Sequence, residues 1–219
     1  FQAQLAHDST DHQSKVKGEK IIEVKLDGVR VITIVYPDQT VIQFSRNGKE
    51  LHNFPHIKDQ IGRAFIDGIE PMVFDGEVMS TSFQDLMKQV HRKNDVQSND
   101  AVLHLFDVLP LSAFEQGGWD TKQDDRSQML HNWHDAHADK MPNVQILGQE
   151  VVNLDSPEGK KRFKEINEKA IEGGYEGIMI KDPEAPYECK RSYSWLKLKP
   201  VIEVDLEIID VEEDRKSTR

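Results

Sequence analysis

Alternation of apolar and polar positions runs through much of the chain, and strands dominate its first part. Residues 21–26 and 29–35 read as two strands. The Asp27-Gly28 dipeptide between them predicts a hairpin, because Asp-Gly suits the tight turn joining paired strands. Pro37-Asp38 marks the next turn, residues 40–46 a third strand and Asn47-Gly48 a further turn. Residues 57–65 read as a helix, 72–79 as a strand, 83–91 as a helix and 102–109 as a strand. Residues 120–139 form the helical stretch with the weakest period, in which Met129, Trp133 and Ala136 can share one face. Residues 144–152 read as one strand. The helix after it has the clearest ends: Ser156 can cap it, Pro157 suits its first turn and Gly173-Gly174 its end. Phe163, Ile166 and Ala170 lie on one side of it. Residues 178–181, 195–199 and 203–211 read as late strands, and the polar segment up to about Lys20 reads as a loop. Antiparallel runs of strands with helices interspersed give an α+β class rather than a doubly wound sheet.

The length of 219 residues suits one large domain or two small ones. A net charge of -11 makes global electrostatics a poor basis for nucleic-acid binding, so any such contact needs a local basic patch or a part outside this chain. Lys190, Arg191, Lys197 and Lys199 form the main basic cluster. The single cysteine, Cys189, excludes an internal disulfide framework and fits a reducing compartment. No stretch is long and apolar enough to span a membrane, and no secretory signal is visible. The chain starts at Phe1 and closes on a polar run, so both ends read as cut and the whole as a fragment.

Strand parity groups the charged residues. Glu23 and Lys25 share one face, with Ile22, Val24 and Leu26 on the other. Asp75 and Glu77 share a face across Gly76, whose missing side chain marks a close approach of backbone or ligand. Paired carboxylates suit a hard cation or ribose hydroxyls. Trp195, Lys197 and Lys199 share a face, and two lysines in register are best explained by an anion near them. Glu176 and Lys181 fall on opposite faces of a regular strand, unless Glu176 precedes it. Each feature taken alone also fits a solvated strand face, and Phe106 alone fits a core position. His131, His134 and His137 can line up on one helix face, but no acidic or cysteine partner has ligand spacing, so a solvated helix is the better reading.

Taken in order, these segments resemble the motifs of ATP-dependent DNA ligases, particularly the small phage-type enzymes. Lys25-Leu26-Asp27-Gly28-Val29-Arg30 matches the Lys-x-Asp-Gly-x-Arg signature of covalent nucleotidyltransferases. Ser45-Arg46-Asn47-Gly48, Phe74-Asp75-Gly76-Glu77, Phe106-Asp107, residues 176–181 and Trp195-Leu196-Lys197-Leu198-Lys199 resemble the motifs that follow. The resemblance implies a nucleotidyltransferase (ATP-grasp-like) adenylation domain over residues 1–200, built of antiparallel sheets flanked by helices. It also implies that residues 201–219 begin an OB-fold domain.

The implied roles follow residue by residue. Lys25 attacks the α-phosphorus of ATP, expels pyrophosphate and carries AMP. Glu23 reads the adenine amino group and Phe106 stacks on the base. Arg30 and Arg46 contact ribose or phosphate, with Arg46 the residue to test against the 5′-phosphate of a nick. Glu77 holds the ribose; it and Glu176 are the metal candidates for Mg²⁺. Lys181, Lys197 and Lys199 surround the phosphates, with Arg191 near the ribose or α-phosphate. A lysine serves as nucleophile only after losing a proton, which an arginine cannot do. The family's sixth motif lies in the following OB-fold, so this chain is expected to bind ATP but to form the adenylate slowly and seal poorly. The implied partner is nicked double-stranded DNA, with no membrane, for a monomer in the cytoplasm of a bacterial or phage-infected cell. An RNA ligase or an mRNA-capping guanylyltransferase shares the first signature, and a non-catalytic DNA-binding clamp is the rival of another class.

Overall fold

The computed structural model describes residues 1–80 and 97–200. The helix expected at 83–91, the strand at 203–211 and the OB-fold segment at 201–219 lie outside the described residues.

Two sheets form the frame. The first has five strands in the order β1 (Leu5–Asp8), β13 (Arg191–Leu198), β11 (Gly177–Lys181), β2 (Glu19–Lys25), β10 (Gln149–Asn153). The second has six, in the order β5 (Glu50–Leu51), β4 (Val41–Ser45), β3 (Val29–Val35), β6 (Met72–Met79), β7 (Val102–Pro110), β9 (Val144–Ile146). Pairing is antiparallel except for β1 with β13 and β7 with β9. A small ladder joins β8 (Gly118–Trp119) to β12 (Tyr187–Glu188). The described helices are α1 (Pro55–Ala64), α2 (Leu111–Glu115), α3 (Gln123–His137) and α4 (Pro157–Glu172).

Three apolar clusters glue these layers together. One joins the six-stranded sheet to α1 and α3 through Phe54, Ile57, Ile61, Leu130 and Phe74. A second lies between the sheets, with Ile32, Val73 and Phe106 on one side and Trp195, Tyr187 and Met179 on the other. A third packs Phe163, Ile166 and Ala170 of α4 on Ile22, Ile178 and Leu196. The α4 ends follow expectation: Ser156 Oγ accepts from the Gly159 N–H at 3.0 Å, and Gly174 takes a φ of +81°.

Four expectations about local structure are corrected. Asp27-Gly28 joins no hairpin, because β2 and β3 belong to different sheets; β3 has both edges taken, by β4 and β6. Glycine at position 28 answers a close crossing instead: a Cβ there would lie 2.3 Å from Val78 O. The N-terminal segment is not a plain loop. It supplies edge strand β1 and a short 3-10 turn over Thr10–Lys15, and Gln4 anchors it by accepting from the Glu188 N–H at 2.7 Å. Residues 144–152 are two strands, since β9 follows β7 in one sheet while β10 pairs with β2 in the other. In α3, Met129 and Ala136 face solvent, and the buried positions are Gln123, Arg126, Ser127 and Leu130. That face is polar because Arg126 pairs with buried Asp107, which hides it from an apolar period.

Candidate active site

A cleft of about 190 Å³ opens between the two sheets. Glu23 and Lys25 of β2, Glu77 of β6, Phe106 of β7, Lys181 of β11 and Lys197 of β13 all line it, as do Arg30, Arg46 and Arg191. It has two chemically distinct ends.

At the lysine end, Lys25 Nζ pairs with Glu176 Oε2, and Lys199 Nζ pairs with Glu176 Oε1. Backbone geometry places the bridging carboxylate. Glu176 sits immediately before β11, and its N–H donates to Lys25 O at 3.1 Å. Gly177 has a φ of +148°, and a Cβ there would lie 2.0 Å from Leu198 O, so glycine lets the chain enter between β2 and β13. Glu176 is thereby brought between two lysines from different segments. Burial alone would raise its carboxyl, but the Lys199 and Lys25 ammoniums hold it below the usual carboxylate range. The Glu77 carboxyl moves the other way: burial raises it, against the Gly28 N–H that donates to Oε1 at 2.8 Å and the charges of Lys25 and Arg30. The Lys197 ammonium is lowered by burial first, then by Lys199 and Lys25. Arg191 Nη1 donates to Ala6 O at 2.6 Å, tying β13 to β1 at the rim.

At the aromatic end, Glu23 and Lys181 are each 1% exposed and lie 2.6 Å apart, Oε1 to Nζ. Lys181 Nζ stands 4.1 Å from the Trp195 ring centroid and 4.5 Å from that of Phe106. Phe106 owes its aim to an irregularity: Asp75 pairs with Asp107 but Gly76 with Leu105, so Phe106 is the extra residue of a bulge. Gly76 permits this approach, since a Cβ there would meet His104 O at 2.6 Å.

The structure thus brings together Lys25, Glu77, Glu176, Lys197 and Lys199 at one end, and Glu23, Phe106 and Lys181 at the other, with Arg46 and Arg191 also on the lining. Glu176 precedes its strand, one of the two arrangements its parity left open. Arg30 lines the cleft, yet its guanidinium is held by Asp75 through two contacts of 2.6 Å and by Gln4 O at 3.0 Å. Asp75 is therefore committed to Arg30 and to the Tyr187 hydroxyl, 2.7 Å away, and only Glu77 of the β6 pair lines the cleft. Lys181 sits apart from the other lysines, four residues along β11 from Gly177, or roughly 13 Å of strand. Sequence reasoning missed Gln149, whose Nε2 donates to Glu23 Oε2 at 2.6 Å; no motif signals it, since β10 meets β2 only in the fold. The histidines of α3 use ring nitrogens on carbonyls of Ser127, Val144 and Trp133.

Among the described residues no group of three or more histidine, cysteine or acidic side chains gathers as a ready metal site. The Lys25 charge acts to lower the carboxyls of both Glu77 and Glu176. A pair of carboxylates fits Mg²⁺, which commonly takes one or two of them and completes its shell with water and substrate phosphates. No helix among the described residues is long and apolar enough to cross a membrane.

Two sheets flanked by helices around a lysine-lined cleft make up the architecture of this domain. The chain belongs to the ATP-dependent DNA ligase domain family, whose family model matches residues 2–199. Among curated relatives, a DNA ligase of Halobacterium salinarum is 29% identical over 212 residues, covering 89% of this chain and 35% of the relative. A DNA ligase of Methanococcoides burtonii is 30% identical over 213 residues, covering 89% and 34%. A solved structure titled Pmar-Lig_Pre. is 53% identical with a TM-score of 0.90, covering 99% of this chain and 50% of that one. The ATP-dependent DNA ligase from bacteriophage T7 in complex with ATP, 20% identical, shares the fold with a TM-score of 0.70 over 91% of this chain and 68% of its own. The chain spans about a third of the length of the curated relatives it matches.

Proposed function

We propose that this cleft moves AMP from ATP to Lys25 and that the AMP then passes to the 5′-phosphate of nicked duplex DNA. The observation that carries the reading is the Lys25 side chain, set at the cleft beside Glu77, Glu176, Lys197 and Lys199, with an aromatic slot further along the same strand face. Lys25 attacks only after its ammonium gives up a proton, and Glu176 Oε2 orients its nitrogen. Its nitrogen forms a bond to the α-phosphorus as the bond to pyrophosphate breaks. Lys197, Lys199 and Arg191 neutralise charge on the phosphates. Glu77 and Glu176 are the residues to hold Mg²⁺, which supplies further neutralisation of the phosphates when bound. Phe106 stacks on the base and Glu77 serves the ribose. Arg46, at the cleft lining, meets the 5′-phosphate of the nick.

Family membership and the DNA ligases among the relatives support DNA as the acceptor. The reading includes an adenylation domain over residues 1–200, a following OB-fold begun in 201–219, and a monomer in a reducing cytoplasm, which the free thiol of Cys189 suits. Incubation with ATP and Mg²⁺, followed by intact-mass measurement and peptide mapping, is expected to show AMP on Lys25. Labelling by GTP and not ATP would turn the reading to a guanylyltransferase. Absence of any label, including in the longer parent protein, would turn it to a non-catalytic clamp.

A further inference from the structure

A closed ring of hydrogen bonds holds Arg30, and it starts at the N-terminal segment. The Gln4 N–H donates to the Tyr187 hydroxyl at 3.1 Å, and that hydroxyl donates to Asp75 Oδ2 at 2.7 Å. Arg30 Nη2 donates to the same Asp75 oxygen at 2.6 Å and to Gln4 O at 3.0 Å, which closes the ring. Gln4, Asp75 and Tyr187 are fully buried. The four residues come from the segment before β1, from β3, from β6 and from β12, so only the fold assembles them.

Gln4 enters the ring through its backbone alone, and its side chain holds that backbone in place. Oε1 accepts from the Glu188 N–H at 2.7 Å, and Nε2 donates to Ser194 Oγ at 3.4 Å. The next two residues are tied to β13 and the residue before it. The Leu5 N–H donates to Lys190 O at 3.0 Å, and Ala6 O accepts from Arg191 Nη1. Leu5 and Ala6 line the cleft, whereas Gln4 and Tyr187 do not. Losing either amide contact would leave a buried polar atom unpaired, so the backbone of Gln4 is strongly fixed.

The ring spends two of the three guanidinium nitrogens of Arg30, Nε and Nη2, on Asp75 and Gln4. Nη1 takes no part and is the donor left over on a residue that lines the cleft. The guanidinium carbon stands 5.1 Å from the Phe106 ring centroid and 5.8 Å from that of Trp195. A planar fork fixed at two nitrogens presents its third in one direction. Resting on the adenylation reading, we infer that Gln4 and Tyr187 are positioning residues for nucleotide binding and act through Arg30. They touch no part of the nucleotide. They aim Nη1 at an oxygen of the bound nucleotide, so their effect falls on binding and not on the chemical step at Lys25.

The test measures the rate of AMP attachment to the 219-residue chain against ATP concentration, by intact mass. Gln4→Met keeps the side-chain length and the backbone groups but loses both amide contacts. It should raise the half-maximal ATP concentration roughly three- to tenfold with the maximal rate little changed. Tyr187→Phe should act in the same direction. Arg30→Lys keeps a cation for Asp75 but gives up the fork, and should cost at least as much. In the Arg30→Lys background, Gln4→Met should add almost nothing, because the group it positions is gone. A purely structural role would multiply the two losses instead. If the losses multiply, Gln4 does not act through Arg30. If Gln4→Met lowers only the maximal rate, or changes neither parameter, the positioning role falls. If Gln4→Met melts below the assay temperature, the same cycle with Tyr187→Phe decides. No mass gain on the unaltered chain at any ATP concentration overturns the adenylation reading itself, and this inference with it.

Discussion

Two of the buried ion pairs among the described residues, Arg126–Asp107 and Lys181–Glu23, differ in one respect. Arg126 and Asp107 are both fully buried, and each of the five N–H groups of Arg126 has an acceptor: both Asp107 oxygens, Gln123 Oε1, Thr121 O and Ala185 O. Asp107 in turn accepts from the Val108 N–H and the Gln123 amide. Glu23 and Lys181 are as deeply buried but leave Oε1 and Nζ without a hydrogen bond. The first pair closes on itself and knits α3 to β7. The second stays open toward the cleft. Burial of charge therefore does not mark a functional site by itself; unsatisfied polar capacity aimed at a cavity does.

The comparison yields predictions of decreasing size. Replacing Lys25, the partly buried partner of Glu176, should remove AMP labelling altogether while leaving thermal unfolding nearly unchanged. Lys25→Met followed by mass measurement and a melting curve checks both, and a variant that still labels at another lysine would sink the assignment. Arg126→Met should cost about 3–5 kcal/mol of stability, because Asp107 is left as an uncompensated buried charge. Urea unfolding reads this, and an unchanged midpoint would refute a structural role for the pair.

Removing both members of each pair sharpens the contrast. Glu23→Gln with Lys181→Met should stay within about 1 kcal/mol of the parent, since desolvation of the two charges is relieved along with their attraction. Asp107→Leu with Arg126→Met should still cost several kcal/mol, because Thr121 O, Ala185 O and Gln123 each lose hydrogen bonding worth about 1 kcal/mol. Equal losses from the two double variants would erase the distinction.

The smallest effect concerns Glu77. Its carboxyl is raised by burial, so the native state binds a proton more readily than the unfolded chain. Stability should then fall as pH rises from the usual carboxylate range through the raised value. Glu77→Gln should remove that dependence and gain on the order of 1 kcal/mol or less at neutral pH, because the amide oxygen still accepts from Gly28. Nucleotide affinity should drop in the same variant. Melting temperatures across a pH series check the sign, and a gain in stability confined to acid would contradict it.

How much of this was legible beforehand depended on where each signal resides. Local chemistry was readable. The α+β class, the capped helix at Pro157–Glu172, the shared face of Glu23 and Lys25 and the order of segments from Lys25 to Lys199 all follow from residue type and spacing along the chain. The glycine at position 76 was read correctly as a close approach, because absence of a side chain is itself local information. Partnership between strands was not readable. Asp27-Gly28 has the composition of a hairpin, yet a crossing between sheets imposes the same need for a small residue. The break between β9 and β10 at Leu147-Gly148 looks like continuity when strand pairing is unknown.

The sequence by itself determined which side chains carry chemistry and which helix and strand positions present them, since dihedral preferences and periodicity act over a few residues. Only the tertiary structure decided their company. It put Glu176 between Lys25 and Lys199, turned Phe106 into the cleft at a bulge, closed Arg30 on Asp75 and set Lys181 beside Glu23 with Gln149 behind it. Those arrangements join residues as distant along the chain as Glu23 and Lys181. Distances and burial between such residues arise from sheet register and packing, which no short window of sequence contains.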